Sequence, residues 1–182
     1  MTAFGYGSAV QSRSSDTLEG PANGPVDEDA QAALAERAGE LALSRNLTVA
    51  AAESLTGGMI STALAAAGRS SEWFMGSLVA YASEVKHEVL DVPPGPVVSA
   101  TAASAMARGV RRLLKADAAV AVTGAGGPGG QDGRDPGTVF IAFDGGGEHR
   151  VVRLELHDEP KVVCATSAAA SLRVLVEGLE GM

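Results

Sequence analysis

Short apolar runs of strand length recur along this chain, at 47–52 (LTVAAA), 77–81 (SLVAY) and 117–122 (DAAVAV), and segments of helical character separate them. Strands that alternate with helices bury themselves as a mainly parallel sheet covered on both faces. The intervening segments supply those helices. Residues 27–46 place Ala33, Leu34, Arg37, Ala38, Leu41 and Ala42 near one stripe, with acids leading and Arg45 trailing as the helix dipole favours. Segments 57–67 and 83–90 follow, the second halted by Pro93, Pro94, Gly95 and Pro96. Residues 99–115 predict a helix with Ser99 as N-cap and Arg111, Arg112 and Lys115 crowding its C-terminal end. After 117–122 comes a long loop, 123–136, then a hairpin of 137–143 and 150–156 across Asp144-Gly145-Gly146-Gly147, and a closing helix at 161–179. The expectation is a single three-layer α/β/α domain over 27–182, with a mixed, mostly parallel sheet of about five strands. Residues 1–26, rich in Gly, Ser, Pro and Asn, are expected to form a flexible extension.

Composition narrows the class. Ala and Gly account for 56 of the 182 residues and aromatic residues for only 4%, so close backbone approach rather than large side chains must fill much of the core. The single cysteine, Cys164, excludes an intramolecular disulfide framework and a cysteine-based zinc site. No apolar run approaches the roughly 18–20 residues of a membrane span, and the N-terminus lacks the pattern of a secretory signal. A net charge of −8 disfavours broad binding to nucleic acid or to acidic membranes. A soluble, cytoplasmic domain with neither a nucleic-acid nor a membrane partner is expected.

Three segments carry chemistry, each where a strand ends. Glu53-Ser54-Leu55-Thr56-Gly57-Gly58 lies between a strand and a helix, where such sheets bind ligands and free amides favour an oxyanion or phosphate. Ser54 there is either a nucleophile or, like Thr56, an ordinary N-cap. Tyr81-Ala82-Ser83-Glu84-Val85-Lys86 follows the next strand; a partly desolvated Lys86 would lose its proton more easily and deprotonate a hydroxyl, with Tyr81 orienting it. The bland alternative is a surface lysine in the first turn of a helix. Ser83-x-x-Lys86 also matches the S-x-x-K of penicillin-binding serine enzymes, although its S-D-N and K-T-G companions are absent. The third segment, Thr123 to Gly130, literally satisfies G-x-G-x-x-G but runs on towards a strand, which argues against a dinucleotide fingerprint and for a loop that wraps a phosphate or ribose, or for a plain surface loop. His87, His149 and His157 show no metal-ligand spacing and no His-Asp arrangement, and all three are expected at the surface. Cys164 is expected to be a small packing residue.

Taken together, these segments resemble the C-terminal domain of the CinA (competence/damage-inducible) family, the nicotinamide mononucleotide deamidases. The matches are Ala52-Glu53-Ser54-Leu55-Thr56-Gly57-Gly58, Val79-Ala80-Tyr81 with Glu84 and Lys86, Val98-Ser99, Thr123-Gly124, Gly127-Pro128-Gly129-Gly130 and Gly137-Thr138-Val139. The resemblance implies hydrolysis of the nicotinamide carboxamide to nicotinate mononucleotide and ammonia. It assigns catalysis to Ser54, Lys86 and Tyr81, the oxyanion to the Thr56-Gly57-Gly58 backbone, and the nucleotide pocket to the loop carrying Thr123, Gly124, Gly127 and Arg134. It implies no cofactor, a small-molecule nucleotide as partner, and a homo-oligomer. Where the family pattern has alanine this chain has Gly126, and where it often has Gly-Asp-Arg this chain has Asp158-Glu159-Pro160. The alternative from another class is a nucleotide- or partner-binding domain that retains the Ser-Tyr-Lys set without using it.

Overall fold

The computed structural model describes residues 28–182; the extension expected at 1–26 lies outside them. The chain runs α1 (Glu28–Arg45), β1 (Val49–Glu53), α2 (Met59–Ala66), α3 (Ser70–Trp73), β2 (Phe74–Val79), α4 (Ser83–Leu90), α5 (Ala100–Leu114), β3 (Ala118–Gly124), β4 (Thr138–Gly145), β5 (Glu148–Glu155) and α6 (Pro160–Gly181). Its five-stranded sheet has the order β2-β1-β3-β4-β5. β1 pairs parallel with β2 and β3, whereas β4 pairs antiparallel with β3 and β5. The expected α/β architecture and mixed sheet are those observed.

The alanine content follows from how the two faces are covered. On one face Val49, Ala51, Val120, Val122, Ile141 and Phe143 pack against α1, α2 and α6. On the other, Ala50, Ala52, Ala119, Ala121 and Ala142 form a floor of small side chains on which α5 lies through Ala102, Ala103, Met106 and Val110. The strand period of two delivers alternate residues to these two faces. Close packing continues between helices: a Cβ added at Gly109 of α5 would stand 2.3 Å from the Leu90 carbonyl oxygen at the end of α4. Here the missing side chain is a packing requirement.

The helix ends behave as the sequence predicts in one case and not in another. Ser99 Oγ accepts from the Ala102 amide at 3.1 Å, the expected N-cap of α5, and Lys115 closes that helix at φ 54°. α2, by contrast, begins at Met59 because Gly57 and Gly58, at φ 56° and 110°, belong to the turn before it. β2 starts at Phe74 rather than 77 because α3, a single turn absent from the sequence reading, delivers Trp73 into the core. The β4–β5 hairpin turns on Gly146 and Gly147, both at positive φ, which leaves Asp144 inside the strand. α6 is, contrary to the expectation from apolar runs, long and apolar enough to cross a membrane. Leu172, Leu175 and Leu179 are instead fully buried in the core cluster.

Candidate active site

In the order β2-β1-β3, the chain steps from β1 to one side and then crosses from β2 to the other side of β1. That reversal opens a crevice at the carboxyl ends of β1 and β3, the usual ligand position in such sheets. A cavity of about 630 Å³ occupies it. Ser54, Leu55 and Thr56 line it from the turn after β1, Tyr81 from just past β2, Gly124 from the end of β3, Gly126, Gly127 and Gln131 from the loop that follows, and Pro160, Lys161 and Cys164 from α6. A larger cavity of about 920 Å³ between α1, α2 and α6 shares Met59 and Lys161 with it but carries no nucleophile opposite a strand end.

Glu53, the last residue of β1, has no role predicted from the sequence, yet it organises the nucleophile turn. Its carboxylate is fully buried. It accepts from Thr56 Oγ1 at 2.7 Å and from the amides of Gly58, Ile60 and Ser61 at 3.0, 3.1 and 2.8 Å. A strand residue thus caps the N-terminus of α2, whose own cap position, Gly58, has no side chain to do so. Neither Ser54 nor Thr56 is the N-cap. The signal was there: Glu53 ends a parallel strand buried along its whole length, and a charge in that position must be paired.

This capping decides which amides remain for an oxyanion. Gly57 donates to the Ser54 carbonyl, Met59 to the Thr56 carbonyl, and Gly58 to Glu53. Within this turn the amides of Ser54, Leu55 and Thr56 have no acceptor among the described residues, and the last two directly follow the candidate nucleophile. The glycine amides expected to serve are already engaged, and Gly57 and Gly58 line only the larger cavity. On the far side, Cys164 Sγ donates to the Leu55 carbonyl at 3.1 Å. Burial pushes the Cys164 thiol up, which keeps it the protonated donor this contact needs. Gly126 packs here as well: a Cβ in its place would stand 3.0 Å from Leu55 Cβ.

Ser54 is 8% exposed at the cavity. Lys86 is not the surface lysine of the bland alternative. It is 1% exposed, and its ammonium donates to the Tyr81 carbonyl at 3.1 Å. Burial lowers its pKa, and the charges of Asp132 and Glu84 oppose that shift. Tyr81 lines the cavity, with 75% of its surface exposed. Neither Ser83, which opens α4, nor Lys86 lines either cavity, so the S-x-x-K pair stands behind the crevice wall and Lys86 approaches it through the Tyr81 carbonyl.

The remaining predicted binding residues divide. Gly124 and Gly127 line the cavity, but Thr123 is 1% exposed and donates its hydroxyl to the Val97 carbonyl at 2.7 Å. Its role is to tie the end of β3 to the segment before α5. Asp132 does the same from the glycine loop, accepting from the amides of Val97 and Val98 at 2.7 and 2.9 Å. Arg134 lines neither cavity; its guanidinium lies 6.0 Å over the Phe140 ring. The cation that does line the crevice is Lys161, in the first turn of α6. His149 and His157 are exposed as expected, whereas His87 is half-buried with Nδ1 2.9 Å from the Val92 carbonyl; the His–Asp arrangement not seen in the sequence is present at His149, which stands against Ser104 and Asp144. Among the described residues no group of three His, Cys, Asp or Glu is placed to hold a metal ion.

The family model of the CinA C-terminal domain matches residues 31–179. A CinA-like protein of Synechococcus sp. is 47% identical over 108 residues, covering 56% of this chain and 26% of that protein. A putative competence-damage inducible protein of Desulforudis audaxviator is 38% identical over 143 residues, covering 75% of this chain and 35% of its own length. The chain thus spans about a quarter to a third of the curated relatives it matches. Solved structures match over nearly their whole length. A competence or damage-inducible protein from Enterobacter asburiae superposes with a TM-score of 0.78 at 29% identity, over 82% of this chain and 98% of that one. The competence/damage inducible protein of Agrobacterium tumefaciens gives 0.77 at 30% identity, over 83% and 96%. Sequence and fold agree: this chain belongs to the CinA C-terminal domain family.

Proposed function

We propose that this domain hydrolyses the carboxamide of nicotinamide mononucleotide through an acyl-enzyme on Ser54. The observation that carries the reading is Ser54 at the wall of a strand-end cavity, directly followed by two amides with no acceptor among the described residues. Ser54 Oγ attacks the amide carbon, and its proton passes to the neutral amine of Lys86. The oxyanion is taken up by the Leu55 and Thr56 amides, an arrangement like other serine acyl transferases in which the residue after the nucleophile donates. The C–N bond breaks as the proton moves from Lys86 to the leaving nitrogen, releasing ammonia. Water then hydrolyses the Ser54 ester to the carboxylate. Burial of Lys86 favours the neutral form this base requires. Tyr81 acts from the mouth of the cavity, where its exposed ring is available to the substrate.

Phosphate recognition falls to Lys161 at the start of α6 and to the glycine loop at Gly126 and Gly127, which line the same cavity. Helix N-termini and glycine-rich turns supply partial positive charge to an anion in this way. In a chain at −8, such local compensation is what allows a phosphate to bind. Ammonia release from nicotinamide mononucleotide, compared with nicotinamide riboside and free nicotinamide, tests the reading. Hydrolysis of the mononucleotide, lost in Ser54→Ala, supports it.

A second reading, a nucleotide-binding domain in which the set is idle, is favoured by one contact: the Lys86 ammonium is engaged by the Tyr81 carbonyl. Binding of the mononucleotide without ammonia release would select it.

A further inference from the structure

A second group of chemistry-bearing side chains stands on the α5 side of the β4–β5 hairpin, and none of its members lines either cavity. The two-residue turn pairs Gly145 with Glu148 and so sets Asp144 directly opposite His149. Cross-strand partners share a face. Phe140 and Ala142, which alternate with Asp144 along β4, belong to the cluster beneath α5, so that face is the one α5 covers. α5 brings Ser104 and Arg111 to it, two helical turns apart.

Ser104 Oγ lies 3.1 Å from His149 Nε2. His149 Nδ1 lies 3.6 Å from Asp144 Oδ1, and Arg111 Nε donates to Asp144 Oδ2 at 2.6 Å. The serine is distinctive among its kind. Ser167 and Ser171 donate to carbonyls four residues back in their own helix, the usual habit of a helical serine, whereas the contact of Ser104 Oγ is with His149 Nε2. At 3.6 Å the Asp144 carboxylate, itself paired with Arg111, acts on Nδ1 through its charge and not through a hydrogen bond; a ring proton held on Nδ1 would leave Nε2 to accept from Ser104. The order nucleophile, base, orienting carboxylate is that of an activated serine.

We propose that Ser104 is a second nucleophile, activated by His149 and Asp144, that takes small acyl and phosphonyl groups from activated esters and fluorophosphonates. Ser104 Oγ attacks the carbonyl carbon or phosphorus and gives its proton to His149 Nε2. The ester oxygen then leaves with that proton, or fluoride leaves and the proton passes to solvent. Ser104 is 8% exposed and the His149 side chain 38%, so a small electrophile reaches the hydroxyl along the imidazole. The amides around Ser104 are spent within α5. With no backbone donor for the oxyanion, the adduct forms slowly and accumulates rather than turning over.

The test uses the full chain carrying Ser54→Ala, so that the candidate active site contributes no label. A fluorophosphonate probe followed by peptide mapping is expected to mark Ser104, with no label in Ser54→Ala/Ser104→Ala. Adding His149→Ala, on the exposed hairpin, should slow labelling at least about tenfold, the lower range for loss of a general base. A burst of nitrophenol from 4-nitrophenyl acetate, close to one equivalent per chain, should follow the same order of variants. Absence of label on Ser104, or labelling indifferent to His149→Ala, overturns the proposal and leaves the reaction assigned to Ser54 untouched.

Discussion

The Lys86 ammonium and Tyr81 meet through the main chain: Nζ donates to the Tyr81 carbonyl at 3.1 Å. The contact fixes a buried amine at the end of β2 without using the phenol, which stays free at the cavity mouth. Two residues that the sequence brings forward as partners are therefore linked by backbone, and their side chains have separate tasks.

Burial gives Lys86 a measurable effect on stability. Its folded-state pKa lies below the usual lysine value of 10.5. The unfolded chain then binds more protons in the window between the two values, so the native state loses stability as pH falls through the folded pKa and regains it towards 10.5. Lys86→Met should inactivate the protein yet raise its melting temperature at pH 7. That advantage should shrink as the pH approaches 10.5. A melting series across pH checks both the sign and the window.

Glu84 raises the Lys86 pKa through its charge. Glu84→Gln should therefore shift the acidic limb of kcat/KM to lower pH, because the neutral amine becomes available sooner. A pH–rate profile in which that limb moves upward would contradict the role given to Lys86.

Glu53→Gln replaces an acceptor-only carboxylate by an amide whose NH₂ must face the α2 amides. Charge-assisted contacts of this kind contribute about 1.5–3 kcal/mol each, so a loss of roughly 2–4 kcal/mol in urea unfolding is expected. Activity should fall with it, since the same carboxylate holds Thr56.

The alanine floor under α5 should resist enlargement. Ala121→Leu, at a position with no exposed surface, is expected to cost about 1–3 kcal/mol through overpacking. Chemical denaturation of this variant beside Leu172→Ala, which opens a cavity on the other face at a cost of about 2–5 kcal/mol, separates the two faces.

The layered fold was legible because apolar runs of strand length and helix caps are local signals, as Ser99 illustrates. α3 was not, since its single turn is held by Trp73 packing against α1 and by its indole N–H donating to the Gly68 carbonyl at 3.2 Å. Ser54, Tyr81 and Lys86 were readable from type and position; the partial desolvation expected of Lys86 was legible, whereas its near-complete burial depends on what covers α4. Arg134 and Thr123 were placed by motif proximity; the loop turns Arg134 onto Phe140 and Thr123 inward to Val97. The Asp144–His149 pairing follows from hairpin register, which becomes visible once Gly146–Gly147 is taken as the turn.

The most direct measurement is ammonia release from nicotinamide mononucleotide by the wild-type chain, Ser54→Ala, Lys161→Ala and Arg134→Ala. The account predicts turnover that Ser54→Ala abolishes, a KM raised roughly tenfold by Lys161→Ala through loss of a charge-assisted contact, and kinetics unchanged by Arg134→Ala. Turnover that survives Ser54→Ala, or none in the wild-type chain although the mononucleotide binds, would contradict it.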